Sequence, residues 1–368
     1  MKSLHVMLLA SILAHAGDYD FDLSAIEVKP YTLSGYLKGE NKLQGLNEDS
    51  PLFHTKNKDS MKTYASEGNL KFAYFQDAFK IDSELMVNYN DIDNTYTDKY
   101  TITQLFVQYK FDQNNLVEVG KKAPKWGKGY FVNPIAFFDR KKDPNDPEAS
   151  REGFVMANYR YNKSYDGDVK NFSLDVLFMK NDNHINSDFA KDEANNVGIK
   201  AYFLYLDTDI DVIYQHRDNG NDKAGFDFAT NVLSNLEVHG EFAKTMDEDD
   251  YAYLLGFKYL TEFDLTITTE YLYQKNQTSK TEPFYDHQYF MNKLSQKEPF
   301  DVLYSSLYYK NIYNLEDKSM QNSFGTTYSF KNNMFIDISY NINDGRVGSE
   351  YGSKLVQDTI WTKLYWYF

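Results

Sequence analysis

The sequence predicts an all-β fold: a transmembrane, up-and-down antiparallel β-barrel of about sixteen strands with long loops on one side. Three observations carry this. Runs of apolar/polar alternation recur from Tyr31 to the C-terminus, many of them of about ten residues, the length of a tilted membrane-spanning strand rather than of a soluble one, which averages about 5–6. The chain is polar in bulk yet 17% aromatic, with 32 Tyr and 27 Phe, as suits an apolar outer band, aromatic girdles and a wet interior. Beyond the N-terminal stretch, no apolar run approaches the roughly 18 residues of a spanning helix.

The N-terminal stretch reads as an export signal. Lys2 is followed by an apolar run from Leu4 to Leu13, then by the small-x-small sequence Ala14-His15-Ala16, the pattern that precedes signal cleavage. Residues 1–16 are therefore expected to be removed. Residues 17–30 form a periplasmic lead-in, and 31–368 the barrel. The chain contains no cysteine, which excludes a disulfide framework and thiol chemistry.

The alternation assigns faces. In 79–89, Phe79, Ile81, Leu85, Val87 and Tyr89 oppose Lys80, Asp82, Glu84 and Asn88. In 172–178, Phe172, Leu174, Val176 and Phe178 oppose Ser173, Asp175 and Leu177, and 262–274 and 333–342 repeat the pattern. Upward strands are expected to begin near Tyr31, Phe79, Asn115, Asn171, Asp209, Asn235, Phe263 and Asn333. Downward strands begin near Lys62, Asp98, Arg151, Asn195, Ala224, Tyr251, Ser319 and Lys354. Short turns then fall on one side and long loops on the other. This count takes 275–318 as one long outer loop. Reading 299–314 alone as a strand makes the number odd, and eighteen is the fallback if 284–294 spans as well.

The last strand, "DTIWTKLYWYF", places Ile360, Thr362, Leu364 and Trp366 on one face and ends on Phe368. It resembles the assembly signal of Gram-negative outer-membrane β-barrels of porin-like type. That resemblance implies an outer-membrane location, contact with outer-membrane lipid and lipopolysaccharide, and recognition of Phe368 by the barrel-assembly machinery. It also implies passive passage of small solutes.

The polar face of each strand looks inward. Its acids are Asp82, Glu84, Glu118, Asp175, Asp209, Asp211, Glu237, Glu241, Asp264, Glu270 and Asp337, against fewer bases: Lys71, Lys110, Arg160, Lys200, Lys258 and Lys363. The wall is net acidic, and a barrel of about sixteen strands leaves a channel unless a loop fills it. Residues 121–144, in the third outer loop, concentrate the opposite sign: Lys121, Lys122, Lys125, Lys128, Arg140, Lys141 and Lys142, in a chain of net charge −15. Folded inward, this loop would gain electrostatic complementarity and set a transverse field at a constriction. Lys121, Lys122, Lys125, Trp126, Lys128, Tyr130 and Arg140 are the candidate constriction residues, with Gly127 and Gly129 supplying sharp turns. Kept outside, the same lysines would meet lipopolysaccharide phosphates or solvent. The stretch "GKKAPKWGKGYFVNP" is similar to G-[KR]-x(n)-W-G-x-x-x-F-x-N-P segments of some porin-like barrels.

Enzymatic and metal readings fare worse. "YQHRDNG" (Tyr214–Gly220) is similar to the His-x-Ser-Asn-Gly stretch of outer-membrane phospholipases, but Asp218 occupies the nucleophile position, and a carboxylate cannot be acylated as that mechanism requires. His239 faces the lumen between Glu237 and Glu241 and is expected to be solvated there. The acid-rich turns 91–93, 143–148 and 341–346 lack the spacing of a calcium loop. No catalytic residue, metal or cofactor is expected. The acidic balance excludes nucleic acid as a partner. The second reading is a surface-binding barrel with a largely closed pore. The third, a hydrolase, is disfavoured by Asp218. Oligomeric state is open.

Overall fold

The computed structural model describes residues 29–55, 58–275 and 288–368; the export signal expected at 1–16 lies outside the described residues. From Tyr31 the chain forms one sheet of eighteen antiparallel strands, each paired with its neighbours in sequence, and the first pairs with the last to close it. The first six are β1 (Tyr31–Leu46), β2 (Ser60–Gln76), β3 (Phe79–Ile92), β4 (Thr95–Lys110), β5 (Asn115–Lys122) and β6 (Phe154–Ser164). There follow β7 (Val169–Asn181), β8 (Ala194–Tyr205), β9 (Thr208–Arg217), β10 (Lys223–Leu233), β11 (Leu236–Thr245) and β12 (Tyr251–Leu260). The last six are β13 (Leu265–Lys275), β14 (Gln288–Lys297), β15 (Ser305–Asn314), β16 (Met320–Ser329), β17 (Met334–Asp344) and β18 (Val356–Tyr367).

Every strand expected from the alternation is present, displaced at its start by three residues at most, as where β6 begins at Phe154 and not Arg151. The number is eighteen, the fallback count, and not sixteen. Residues 275–318 are not one outer loop: they contain β14 and β15, joined by a turn at 298–304. The two arrive together, so the parity that kept both ends of the barrel on one side is preserved. The physical reason for the miss is local. Tyr289 and Met291 of β14 point inward but are fully buried, while Phe290 and Leu294 point outward, so apolar residues occupy both faces and the alternation is blurred.

Most short turns collect at one end, the two-residue Asp93–Asn94 turn between β3 and β4 lying at the other. Asp77 (φ 50°), Leu206 (φ 45°) and Asp207 (φ 61°) take the left-handed conformation that two-residue hairpins require. The barrel's own ends meet at that first end too, through the N–H groups of Gly35 and Phe368 and each other's carbonyls at 3.0 and 3.1 Å. The longer connections, 47–59, 123–153, 182–193 and 345–355, lie at the opposite end. Outward-facing apolar residues such as Val119, Val212, Leu255 and Phe324 are each more than half exposed. A belt of that kind is a membrane-facing surface, and the stacked Tyr251, Tyr253 and Tyr273 form part of one girdle.

The eighteen-strand topology makes a direct prediction. A cysteine introduced at Phe300, which is 90% exposed in the β14–β15 turn, should react with an impermeant maleimide from the same side as one at Ala78. It should be unreactive from the side of the 345–355 loop. Reaction from that side would restore the sixteen-strand topology.

Candidate functional site

The β5–β6 connection, residues 123–153, does not stay above the barrel. Its polar contacts reach β3 (Ser150 to Glu84, 2.8 Å), β9 (Lys128 to Asp211, 3.1 Å), β11 and β13. They continue to β15, where Lys310 donates to the Asn145 carbonyl at 2.5 Å, and to β18, where Lys363 meets Asp146 at 3.2 Å. The segment therefore crosses the lumen.

The packing explains why. Near the loop end, the inward positions of several strands are apolar where an aqueous wall would be polar. One cluster joins Trp126, Ile135 and Phe138 of the loop to Phe154, Met156, Leu177, Met179 and Ile213. A second joins Phe131 to Leu254, Leu272, Tyr289, Met291, Ile312 and Tyr351, the last from the 345–355 connection. Trp126 and Phe138 meet edge to face, with centroids 5.4 Å apart. They fit because Gly198 of β8 leaves a notch: a Cβ there would stand 3.2 Å from the Trp126 ring and closer still to Phe138.

Within this packing the wall acids take up the loop's main chain. Glu241 Oε1 accepts the N–H groups of Lys128 and Gly129 (both 2.6 Å) and the Asn133 side-chain amide (2.9 Å), and its Oε2 accepts the N–H of Ile135 at 3.2 Å. Glu270 accepts the N–H groups of Tyr130 and, at 3.1 Å, Phe131. Inside the loop, the Asp139 carboxylate ties Lys125 N and Trp126 N at 3.0 and 2.9 Å. Burial nonetheless pushes the Asp139 carboxyl upward.

The candidate constriction residues divide. Lys128 lies 3.1 Å from Asp211 and 3.9 Å from Asp227. Burial works against its ammonium, but the two carboxylates outweigh it and hold its pKa above the ordinary lysine value. Trp126 is in the first cluster. The Tyr130 hydroxyl donates to Glu237 at 3.0 Å, with its ring against His239. Lys122 pairs with Glu118 on the wall, and Lys121 with Glu152 at 2.5 Å. Arg140 stands at the mouth against Asp188, 2.5 Å away, and Glu152. Lys125 contributes its main-chain N–H to Asp139.

Most of the acids assigned to the inner face lie there. Glu84 holds Asn69 (2.6 Å) and Ser150, and Asp175 holds Arg160 (2.6 Å). Asp82 pairs with Lys80 (2.8 Å), Asp209 accepts from the Tyr202 hydroxyl, and Asp337 accepts from that of Tyr308 at 2.8 Å. Asp264 is the exception: it is an exposed, left-handed residue (φ 60°) of the β12–β13 turn, because β13 starts at Leu265. The alternation missed Asp227, fully buried between Asp211 and Glu241 in register, although Phe226 and Phe228 on either side of it mark it as inward. His239 is not solvated. It is fully buried, its Nε2 is 3.0 Å from Glu270, and its Nδ1 is 3.6 Å from Glu237, its contact across the barrel wall being Glu270 and not Glu241. At the other motif, His216 faces outward beside Asp222 (2.9 Å), while Asp218 accepts from Asn195. The two do not form a dyad.

Above the loop, at the mouth, lies a cavity of about 670 Å³. Its lining carries Arg140, Lys141, Lys142, Arg217, Lys223, Lys244 and Lys275 against Asp139, Asp188 and Asp250. Burial, with Arg151 nearby, holds the Lys142 pKa below the ordinary lysine value.

No protein-family profile and no curated protein sequence matches this chain. Solved structures do. Pseudomonas aeruginosa OpdQ superposes with a TM-score of 0.64 at 10% identity over 93% of this chain and 99% of that one. Acinetobacter baumannii OccAB4 gives 0.58 at 8%, covering 92% and 98%. Pseudomonas aeruginosa OprD gives 0.56 at 9%, covering 92% and 95%. What these chains share at such identities is the fold, and that fold is a porin-like antiparallel β-barrel, closed here from eighteen strands.

Proposed function

We propose that the chain is a passive channel for small solutes across an outer membrane, narrowed by residues 123–153 and preferring anionic solutes. One observation carries the reading. The deepest wall acids (Asp211, Asp227, Glu241 and Glu270) are at most 3% exposed and turned to the loop, while the lining of the open mouth presents Arg140, Lys141, Lys142, Arg217 and Lys223 from the loop and from inward strand positions against Asp139, Asp188 and Asp250. A solute therefore meets net positive charge in a low-dielectric funnel, which concentrates anions and raises their rate of entry. The acidity of the chain as a whole does not set the sign at the mouth. In this reading the outer belt meets outer-membrane lipid and lipopolysaccharide, and β18 with Phe368 is what the assembly machinery engages.

The test is single-channel conductance and reversal potential in planar bilayers under a salt gradient. The parent should show anion preference. Lys142→Gln with Lys223→Gln should shift the reversal potential toward cations with the conductance step nearly retained. An unshifted potential would remove these residues from the solute path. A second reading has its own support: Tyr351 joins Phe131 in one buried cluster, so two loops contribute to the packing inside the barrel, as in a plugged, surface-binding barrel. Silence from a demonstrably folded protein would select it.

A further inference from the structure

Glu241 stands in β11 with its carboxylate buried, and four donors from one short stretch of loop converge on it: the main-chain N–H groups of Lys128, Gly129 and Ile135 and the Asn133 amide. Successive N–H groups turned to one point form an anion-binding nest, so the stretch from Gly127 to Ile135 is shaped as a receptor for a carboxylate that the wall supplies. Its sequence is committed to that shape. Gly127 has φ 99°, and a Cβ there would stand 2.8 Å from Glu241 Oε1 and 2.7 Å from Asn133 Nδ2. Asn133 also holds the Gly129 carbonyl at 3.1 Å. On β13, two strands along the wall, Glu270 takes the next two N–H groups and the His239 ring.

We infer that Glu241, seconded by Glu270, is the latch that fixes the loop across the lumen and so sets the aperture of the channel. This rests on the channel reading above and names the residue that controls it. Glu241 is a positioning residue: it acts through the loop and touches no solute. Its hold is on three main-chain N–H groups and the Asn133 amide, so this contact itself involves no lysine side chain. Without the carboxylate, buried donors lose their acceptor, a cost relieved only if the loop lifts into water.

The chain has no cysteine, so a single Ile135→Cys, at a fully buried position, reports on the latch by its rate of maleimide labelling. In that background, Glu241→Ala should label about tenfold faster or more and conduct in larger, noisier steps. Glu241→Asp, which keeps the charge, should fall between that variant and its parent. Gly127→Ala, which closes the nest from the loop side, should match Glu241→Ala and serves if that variant does not fold. Unchanged labelling overturns the inference. Faster labelling with unchanged conductance overturns it as well, since a freed loop would then not govern the aperture. A silent parent sinks the channel reading instead, while labelling still decides whether Glu241 holds the loop.

Discussion

Excising residues 123–153 and joining Lys122 to Phe154 through Asn-Gly should leave a folded barrel that conducts several-fold more and prefers cations. The graft is feasible because Lys122 and Phe154 are register partners at the end of the β5–β6 ladder, the position where a two-residue turn closes a hairpin. Every strand keeps both neighbours, so no edge is created. The conductance rises because a lumen of this strand number holds water once no loop fills it. The preference reverses for a separate reason. Glu241, Glu270, Asp211 and Asp227 lose the main-chain N–H groups and the Lys128 ammonium that occupy them, and their charges then face the path. Reversal potentials of parent and graft, measured across the same gradient, check both parts. A graft that is larger in conductance but still anion-selective would show that the mouth, and not the wall, sets the sign. A graft no more conductive than its parent would remove the loop from the path.

Trp126→Ala should free the loop without unfolding the barrel. Its side chain is 4% exposed and packs on Phe138 and the Gly198 notch. Truncating a buried aromatic of this size costs roughly 3–5 kcal/mol. Because the lost contacts belong to loop docking and not to the ladder, that cost falls on the docked loop. The undocked population should rise by roughly a hundredfold or more. Limited proteolysis within 123–153 reads this directly, with strand content by circular dichroism held at the parent's value. Gly198→Val attacks the same contact from the wall, filling the notch beneath Phe138, and should give the same cleavage pattern. If Trp126→Ala is cleaved no faster than its parent, the aromatic cluster is not what seats the loop, and the carboxylate contacts alone hold it.

Several parts of this arrangement are legible residue by residue. The inward apolar positions Leu177, Ile213, Leu254 and Leu272 break the polar face of their strands, and each is a place where the loop docks. Read as a signal, an apolar residue on a lumen-facing position marks the footprint of whatever fills the lumen. Asp227 was equally visible between two outward phenylalanines. The role of Glu241 and Glu270 was not, since a carboxylate on a wet wall and one that binds a main-chain nest look alike in sequence. Nor was the burial of His239, which depends on Tyr130 lying against it.

The sequence by itself determined the closed, alternating barrel, most of the short turns, sixteen of the strands and the loop that carries the basic charge. All of these follow from a period of two and from turn chemistry, which act within a few residues. Only the tertiary structure decided between the two strand counts, placing β14 and β15 between Gln288 and Asn314, and decided that the basic loop crosses the lumen, with its main chain on Glu241 and Glu270 and Lys128 on Asp211 and Asp227. The physical reason is range. Whether an inward position faces water or protein is settled by contacts such as Gly129 to Glu241 and Phe131 to Glu270, between residues more than a hundred positions apart. The apolar contacts that blur the alternation of β14 are of the same kind.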